Sequence, residues 1–207
     1  QRMAENVSFA LENFERAAEQ ERAEQATLRL SKMYAVLSAT NEAILRASSP
    51  EELYKKVCDA AVHGGRFITA AALKIAHAER EAHLIVMSGA GSGHWPYLRI
   101  SIDPDVPEGR GLVGTAYHTG RPAITNDYLN DDRLRPWRER GRDIGFRAGA
   151  AIPLRHGKQV VGVLLFYSGE PDSFDDDIVK LLERMAENVT FALANFERAA
   201  EQQRASQ

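Results

Sequence analysis

Apolar residues near the end of the chain fall at Ile178, Leu182, Met185, Val189, Ala192, Phe196 and Ala199, in steps of 4, 3, 4, 3, 4 and 3. That spacing keeps one stripe of a helix apolar, as in a heptad seam. No Pro or Gly interrupts residues 174–207, and Ser173 or Asp175 can cap the start, with Asp176 and Asp177 against the positive end of the dipole. A helix of about 29 residues reaches on the order of 43 Å, more than the diameter of a small domain, so part of it is expected to project or pair. Up to Met185 the stripe is broad, adding Val179 and Leu181, as a helix lying on its own sheet requires. Beyond residue 188 it narrows, which predicts a partner helix. The front of the chain repeats the seam at Met3, Val7, Ala10, Phe14 and Ala17, loses it through the polar AEQERAEQAT, and resumes at Leu30, Met33, Leu37 and Ile44. One long helix over 1–46 is predicted, with a shift of phase near 18–28. A second follows, capped by Ser49, with Pro50 in its first turn and Gly64-Gly65 at its end.

Between these helices the period becomes that of strands. ITAAALKIAH (68–77) and AHLIVMSGAG (82–91) form two strands around the polar turn AERE, and YLRISID (97–103) alternates like a third. PAITND adds a short strand, and RAGAAIPLRHGKQVVGVLLFYSG is a hairpin turned at Gly157. GRGLVGTAYHTG (109–120) and LRPWRERGRDIG are brief helices. Strands linked by hairpins imply a mainly antiparallel sheet with helices on its faces, an α+β domain.

The terminal helices share more than a pattern. RMAENVSFALENFERAAEQERA (2–23) and RMAENVTFALANFERAAEQQRA (184–205) lie 184 − 2 = 182 residues apart and differ only at Ser8/Thr190, Glu12/Ala194 and Glu21/Gln203. One copy of the intervening unit is present, so the front segment reads as the tail of a preceding, related unit of a longer protein. The expected organisation is a linker helix over 1–29, one globular domain over 30–190, and an outgoing helix over 191–207.

Composition narrows the function classes. Hydrophobic residues make up 44% and charged ones 27%, ordinary for a globular protein. A net charge of −3 offers no basic field for nucleic acid or an anionic membrane. The longest apolar run, VVGVLLFY (160–167), is too short to cross a bilayer. The single Cys58 excludes an internal disulfide and fits a reducing compartment, with the cytoplasm as the expectation. The six histidines show no metal-ligand spacing, and no G-x-S-x-G, H-E-x-x-H or C-x-x-C occurs, so neither a metal site nor a catalytic residue is expected. PEGRGLVGTA sets Arg110 among Gly109, Gly111 and Gly114 before a helix start. Backbone N–H groups there could hold an anion, or the glycines could serve only a tight turn and close packing.

The order of the segments resembles a GAF domain over about residues 30–190. GLVGTAYHTGRP, AIPL…G…VGVLLFYS and the aromatic-plus-acid entry SFDDD into the last helix carry the likeness. The resemblance implies a six-stranded sheet with a ligand pocket on one face, and terminal helices on the other that pair with those of a second subunit. It implies a sensory, non-enzymatic module of bacterial-type signalling proteins, one unit of a tandem array ahead of an output such as a histidine kinase or cyclic-dinucleotide enzyme. By this resemblance Tyr97, Arg99, Arg110, Gly111, Tyr117, Asp127, Trp137, Phe146 and Arg147 are expected to meet a small anionic or planar ligand, with Tyr128 and Arg138 beside them. The homodimer interface is expected at Ile178, Leu182, Met185, Val189, Ala192, Phe196 and Ala199, with Val7, Phe14, Leu30 and Leu37. Some GAF domains reduce methionine sulfoxide with several cysteines, and Cys58 alone does not suffice. Cyclic-nucleotide binders carry an Asn-Lys pair where this chain has Ser168-Gly169, so that signature is absent. A covalent bilin is not expected, since Cys58 lies in the wrong helix, and haem would need His94 or His118 as its axial ligand. The rival reading is a ligand-free dimerisation spacer whose pocket is filled by Trp137 and Tyr117.

Overall fold

The computed structural model describes residues 2–64, 67–94 and 98–206. Helix α1 (Arg2–Arg46) is one continuous rod. Helix α2 (Pro50–His63) starts as its sequence requires. Ser49 accepts from the Glu52 amide at 3.2 Å, while the Glu52 carboxylate accepts from the Ser48 amide and hydroxyl at 2.8 and 2.6 Å. The reciprocal cap satisfies amides that the first turn leaves without partners.

Six strands follow: β1 (Thr69–Ala76), β2 (Glu81–Gly89), β3 (Arg99–Ser101), β4 (Ala123–Thr125), β5 (Ala148–His156) and β6 (Gln159–Ser168). They form one antiparallel sheet in the order β3-β2-β1-β6-β5-β4. The first and last strands therefore meet at its centre, with Thr69 opposite Tyr167. The expected α+β class and six-stranded sheet are both present.

Alternation along the strands divides the core in two. Ala70 and Ala72 of β1, Ala150 and Ile152 of β5, and Leu164 and Phe166 of β6 face the layer made by α1, α2 and α5 (Asp176–Ala205). Ala71, Leu73, Ala151, Val163 and Leu165 face the opposite layer, made by α3 (Leu112–Thr119), α4 (Arg138–Ile144) and the segments around them. Asp175 caps α5, accepting from the Ile178 amide at 2.9 Å. Ser173, the other candidate, is buried and donates to the Glu170 carbonyl.

Within the single chain, most of the seam on α5 packs on the domain's own core. Ile178, Leu182, Met185, Val189 and Ala192 are all buried in one core with Met33, Leu37 and the sheet, and Leu30 and Phe196 pack against it half-buried. Alternating steps of 4 and 3 suit any helix lying on a core, and here the second half of α1 and strand β5 cover the stripe. Of the expected interface residues, Val7, Phe14 and Ala199 remain exposed. Residues 7–28 are exposed throughout, as are 197–206, so both terminal helices project beyond the domain.

Candidate functional site

On the face of the sheet opposite α5, side chains enclose a narrow cavity of about 40 Å³. Ile100, Leu165 and Tyr167 form its floor, Leu112 and Val113 at the start of α3 one wall, and Leu134, Trp137 and Phe146 the cover. Phe146 stacks on Tyr167 with centroids 4.0 Å apart, and Tyr128 meets both rings edge-on. The Tyr128 hydroxyl donates to the Trp137 carbonyl at 3.3 Å, which ties the floor to the cover. Burial pushes the Tyr128 phenol up to about 12. The Tyr167 phenol is raised well above its ordinary value by burial first and by Tyr128 second. Neither phenol ionises near neutral pH, and the other lining side chains carry no charge.

Close packing here depends on missing side chains. A Cβ at Gly141 would lie 2.3 Å from Tyr128 Cε1, and one at Gly111 2.6 Å from Trp137 Cζ3. A Cβ at Gly114 would come within 1.8 Å of the Gly109 carbonyl oxygen. Close packing, the plainer of the two readings of PEGRGLVGTA, accounts for these glycines. Arg110 spends its guanidinium on the Pro104 carbonyl at 2.7 Å rather than on an anion cradle.

The structure gathers only part of the expected ligand set. Trp137 and Phe146 line the cavity, and Gly111 lies beneath Trp137. Arg99 is exposed on β3, 3.8 Å from Glu81, and Asp127 is exposed, accepting from Asn130. Arg147 donates to the Phe146 carbonyl, and Tyr117 lies near the far end of α3, 3.2 Å from His77. None of these four lines the cavity, nor does Arg110, so the anionic ligand expected from their charges has no counterpart there. Tyr97 lies outside the described residues. Met87, Leu98, Ile100, Leu112, Leu134 and Leu165 went unsuspected, because apolar residues at strand and helix spacing carry no sign of bordering a space.

Of the two histidines considered as haem ligands, His118 alone has a described side chain. The side chain of His94 lies outside the described residues, and the His118 Nε2 engages the Ile102 carbonyl at 2.6 Å, away from the cavity. Cys58 is buried in α2 on the other side of the sheet, and burial pushes its thiol up to about 12. One group with metal-ligand chemistry was not expected from the sequence. Glu79, Glu81 and His83 converge at the β1–β2 turn, with His83 Nε2 3.0 and 2.9 Å from the two carboxylates. No helix among the described residues is long and apolar enough to cross a membrane.

Solved structures share this fold. They include the free methionine-R-sulfoxide reductase of Neisseria meningitidis in complex with its substrate, at 16% identity over 81% of this chain and 91% of that one, with a TM-score of 0.66. The GAF domain of a phosphoenolpyruvate-protein phosphotransferase from Coxiella burnetii is similar at 16% identity, 83% and 98% coverage and a TM-score of 0.68. That of the Acinetobacter phosphotransferase is similar at 11% identity, 82% and 97% coverage and a TM-score of 0.65. At these identities the likeness is one of fold. No curated protein matches the sequence. The family model described as a GAF domain matches residues 47–194, from the residue after α1 to well inside α5. Family match and fold thus coincide over the same stretch, and this chain belongs to the GAF domains, a family of sensory and regulatory modules.

Proposed function

We propose that this chain is a regulatory module of a larger signalling protein, without catalysis of its own, that receives a small uncharged ligand in the cavity beneath Trp137. One observation carries the reading: an apolar, aromatic-walled space lies on one face of a sheet whose other face holds the outgoing helix. Leu165 borders that space, while its neighbours Leu164 and Phe166 pack in the core that buries α5. A ligand that moves β6 therefore acts on both layers, provided that it binds the two arrangements with different affinity. Projecting helices at both ends suit transmission to flanking domains, with pairing of two chains along the exposed part of α1. The high thiol pKa and deep burial of Cys58 support the non-enzymatic reading, since a thiolate is the reactive form.

The second reading, a ligand-free spacer, is favoured by the size of the cavity. At about 40 Å³ it is far below the roughly 300–1,000 Å³ of typical ligand sites, so a ligand must displace Trp137 or be very small. Titration of small planar and apolar metabolites, followed by melting temperature and tryptophan emission, separates the two. Sensing predicts a rise in melting temperature, with an emission change that Trp137→Phe abolishes. Absence of any response across the panel leaves the spacer.

A further inference from the structure

A larger opening, of about 610 Å³, lies at the other end of α3, where it meets the end of β1 and the β5–β6 turn. Arg121, Arg155 and Lys158 line it, and none of its described lining residues carries a carboxylate. Such a concentration of positive charge is local, since the whole chain has a net charge of −3. The Arg155 Nη1 donates to the Gly120 carbonyl at 3.3 Å, which fixes that guanidinium beside the terminus of α3.

The uncharged wall is organised as well. Gln159 Nε2 lies 3.1 Å from His77 Nε2, and His77 Nδ1 lies 3.2 Å from the Tyr117 hydroxyl. These contacts join Gln159, His77 and the Tyr117 hydroxyl in one row along the wall. Three cations and the Tyr117 hydroxyl thus border a single cleft.

We propose that this cleft binds a small polyanion, a molecule carrying two or more phosphate or carboxylate groups. Guanidinium groups engage planar or tetrahedral oxyanions bidentately, and an ammonium adds a point charge. The volume falls within the roughly 300–1,000 Å³ range of small-molecule sites. An apolar ligand would strip water from three charges with nothing in return. The cleft has no lining residue in common with the apolar cavity, although both border α3 and β6, so it stands or falls independently of a ligand beneath Trp137.

The test is calorimetric titration of the whole chain with inorganic pyrophosphate and, separately, with citrate, at low ionic strength. The expected result is one saturable site for at least one of them, weakened by added salt. Uptake of pyrophosphate alone assigns a phosphorylated ligand, uptake of citrate alone a carboxylate, and uptake of both a polyanion site without preference. The double change Arg155→Gln with Lys158→Gln should lower affinity about tenfold or more through lost charge-assisted contacts. Tyr117→Phe, which keeps the ring, should lower it by less. Arg99→Gln, an exposed cation on the edge strand β3, should leave it unchanged. Arg155 and Lys158 are exposed, so an unaltered melting temperature is the control for folding. No saturable binding of either anion at millimolar concentration, or binding that the double change leaves intact, overturns the proposal.

Discussion

The hydroxyl of Thr40 donates to the sulfur of Met185 at 3.2 Å, and both side chains are fully buried where α1 packs on α5. Nearby, Asn188 donates to Asn41 at 2.9 Å, so two hydrogen bonds set the register of the entering helix against the leaving one. A thioether is a weak acceptor, so filled volume rather than the hydrogen bond holds this junction. Met185→Ala is predicted to cost about 2–5 kcal/mol in urea unfolding, as expected when a filled core loses atoms. Thr40→Val should cost no more than about 1.5 kcal/mol. The reverse order of effects would show that the hydroxyl, not the packing, joins the helices.

Trp137 is the removable part of the cavity wall. Apolar cavities of about 150 Å³ take up benzene, whereas the one here is about 40 Å³. Trp137→Ala should therefore lower the melting temperature and create saturable benzene binding that the natural chain lacks. Melting curves with and without benzene check this, and an equal response of the two proteins would show that Trp137 does not close the space.

Much of the fold could be read from periodicity, because α1, α2, α5 and strands β1, β2, β5 and β6 are long enough to show their period. The hairpin at Gly157 and the helix starts at Ser49 and Asp175 stand close to where local chemistry places them. The cavity was far less legible. Charge and aromaticity drew attention to Arg99, Arg110, Tyr117 and Asp127, yet the space is bordered by Ile100, Leu112 and Leu165, which look like ordinary core. The α5 seam shows a related limit. Spacing reports that a stripe is covered, but not whether the chain's own sheet or another molecule covers it.

Cys58 gives a chemical check on the packing around α2. With its thiol pushed up to about 12, the thiolate fraction at pH 8 is only about one in ten thousand. Labelling by a disulfide reagent should therefore be slow in the native protein and become fast in denaturant. Rapid labelling without denaturant would mean that α2 separates readily from the sheet.

The cap of α2 predicts a dependence on acid. Hydrogen bonds from the Ser48 hydroxyl first, then from the Ser48 amide and Lys56, bring the Glu52 carboxyl from 4.5 to about 2. A carboxyl held lower in the fold than in the open chain stabilises the fold above its ordinary value, and that contribution is lost as pH falls towards the folded value. The melting-temperature advantage of the natural chain over Glu52→Gln should thus be constant near neutrality and shrink between about pH 5 and pH 2. The carboxylate is exposed, so the advantage is small throughout. A gap that widens in acid would assign the cap to another group.

Adding 182 to Val7, Ala10 and Phe14 gives Val189, Ala192 and Phe196, so the same helical face occurs twice in one chain. In the second copy it is covered: Val189 and Ala192 are buried and Phe196 packs against the core. In the first it is bare, with Val7 56% and Phe14 74% exposed. A face whose duplicate is stable when covered has the same apolar surface to remove from water, and a fully buried Phe contributes about 1.5–3 kcal/mol. Phe14→Glu should therefore leave the melting temperature of the domain unchanged and weaken self-association by at least tenfold in sedimentation equilibrium. Phe196→Glu, by contrast, sets a charge against the core and should lower the melting temperature. If Phe14→Glu sediments like the natural chain, the front of α1 takes no part in pairing, and signalling through paired entering helices is excluded.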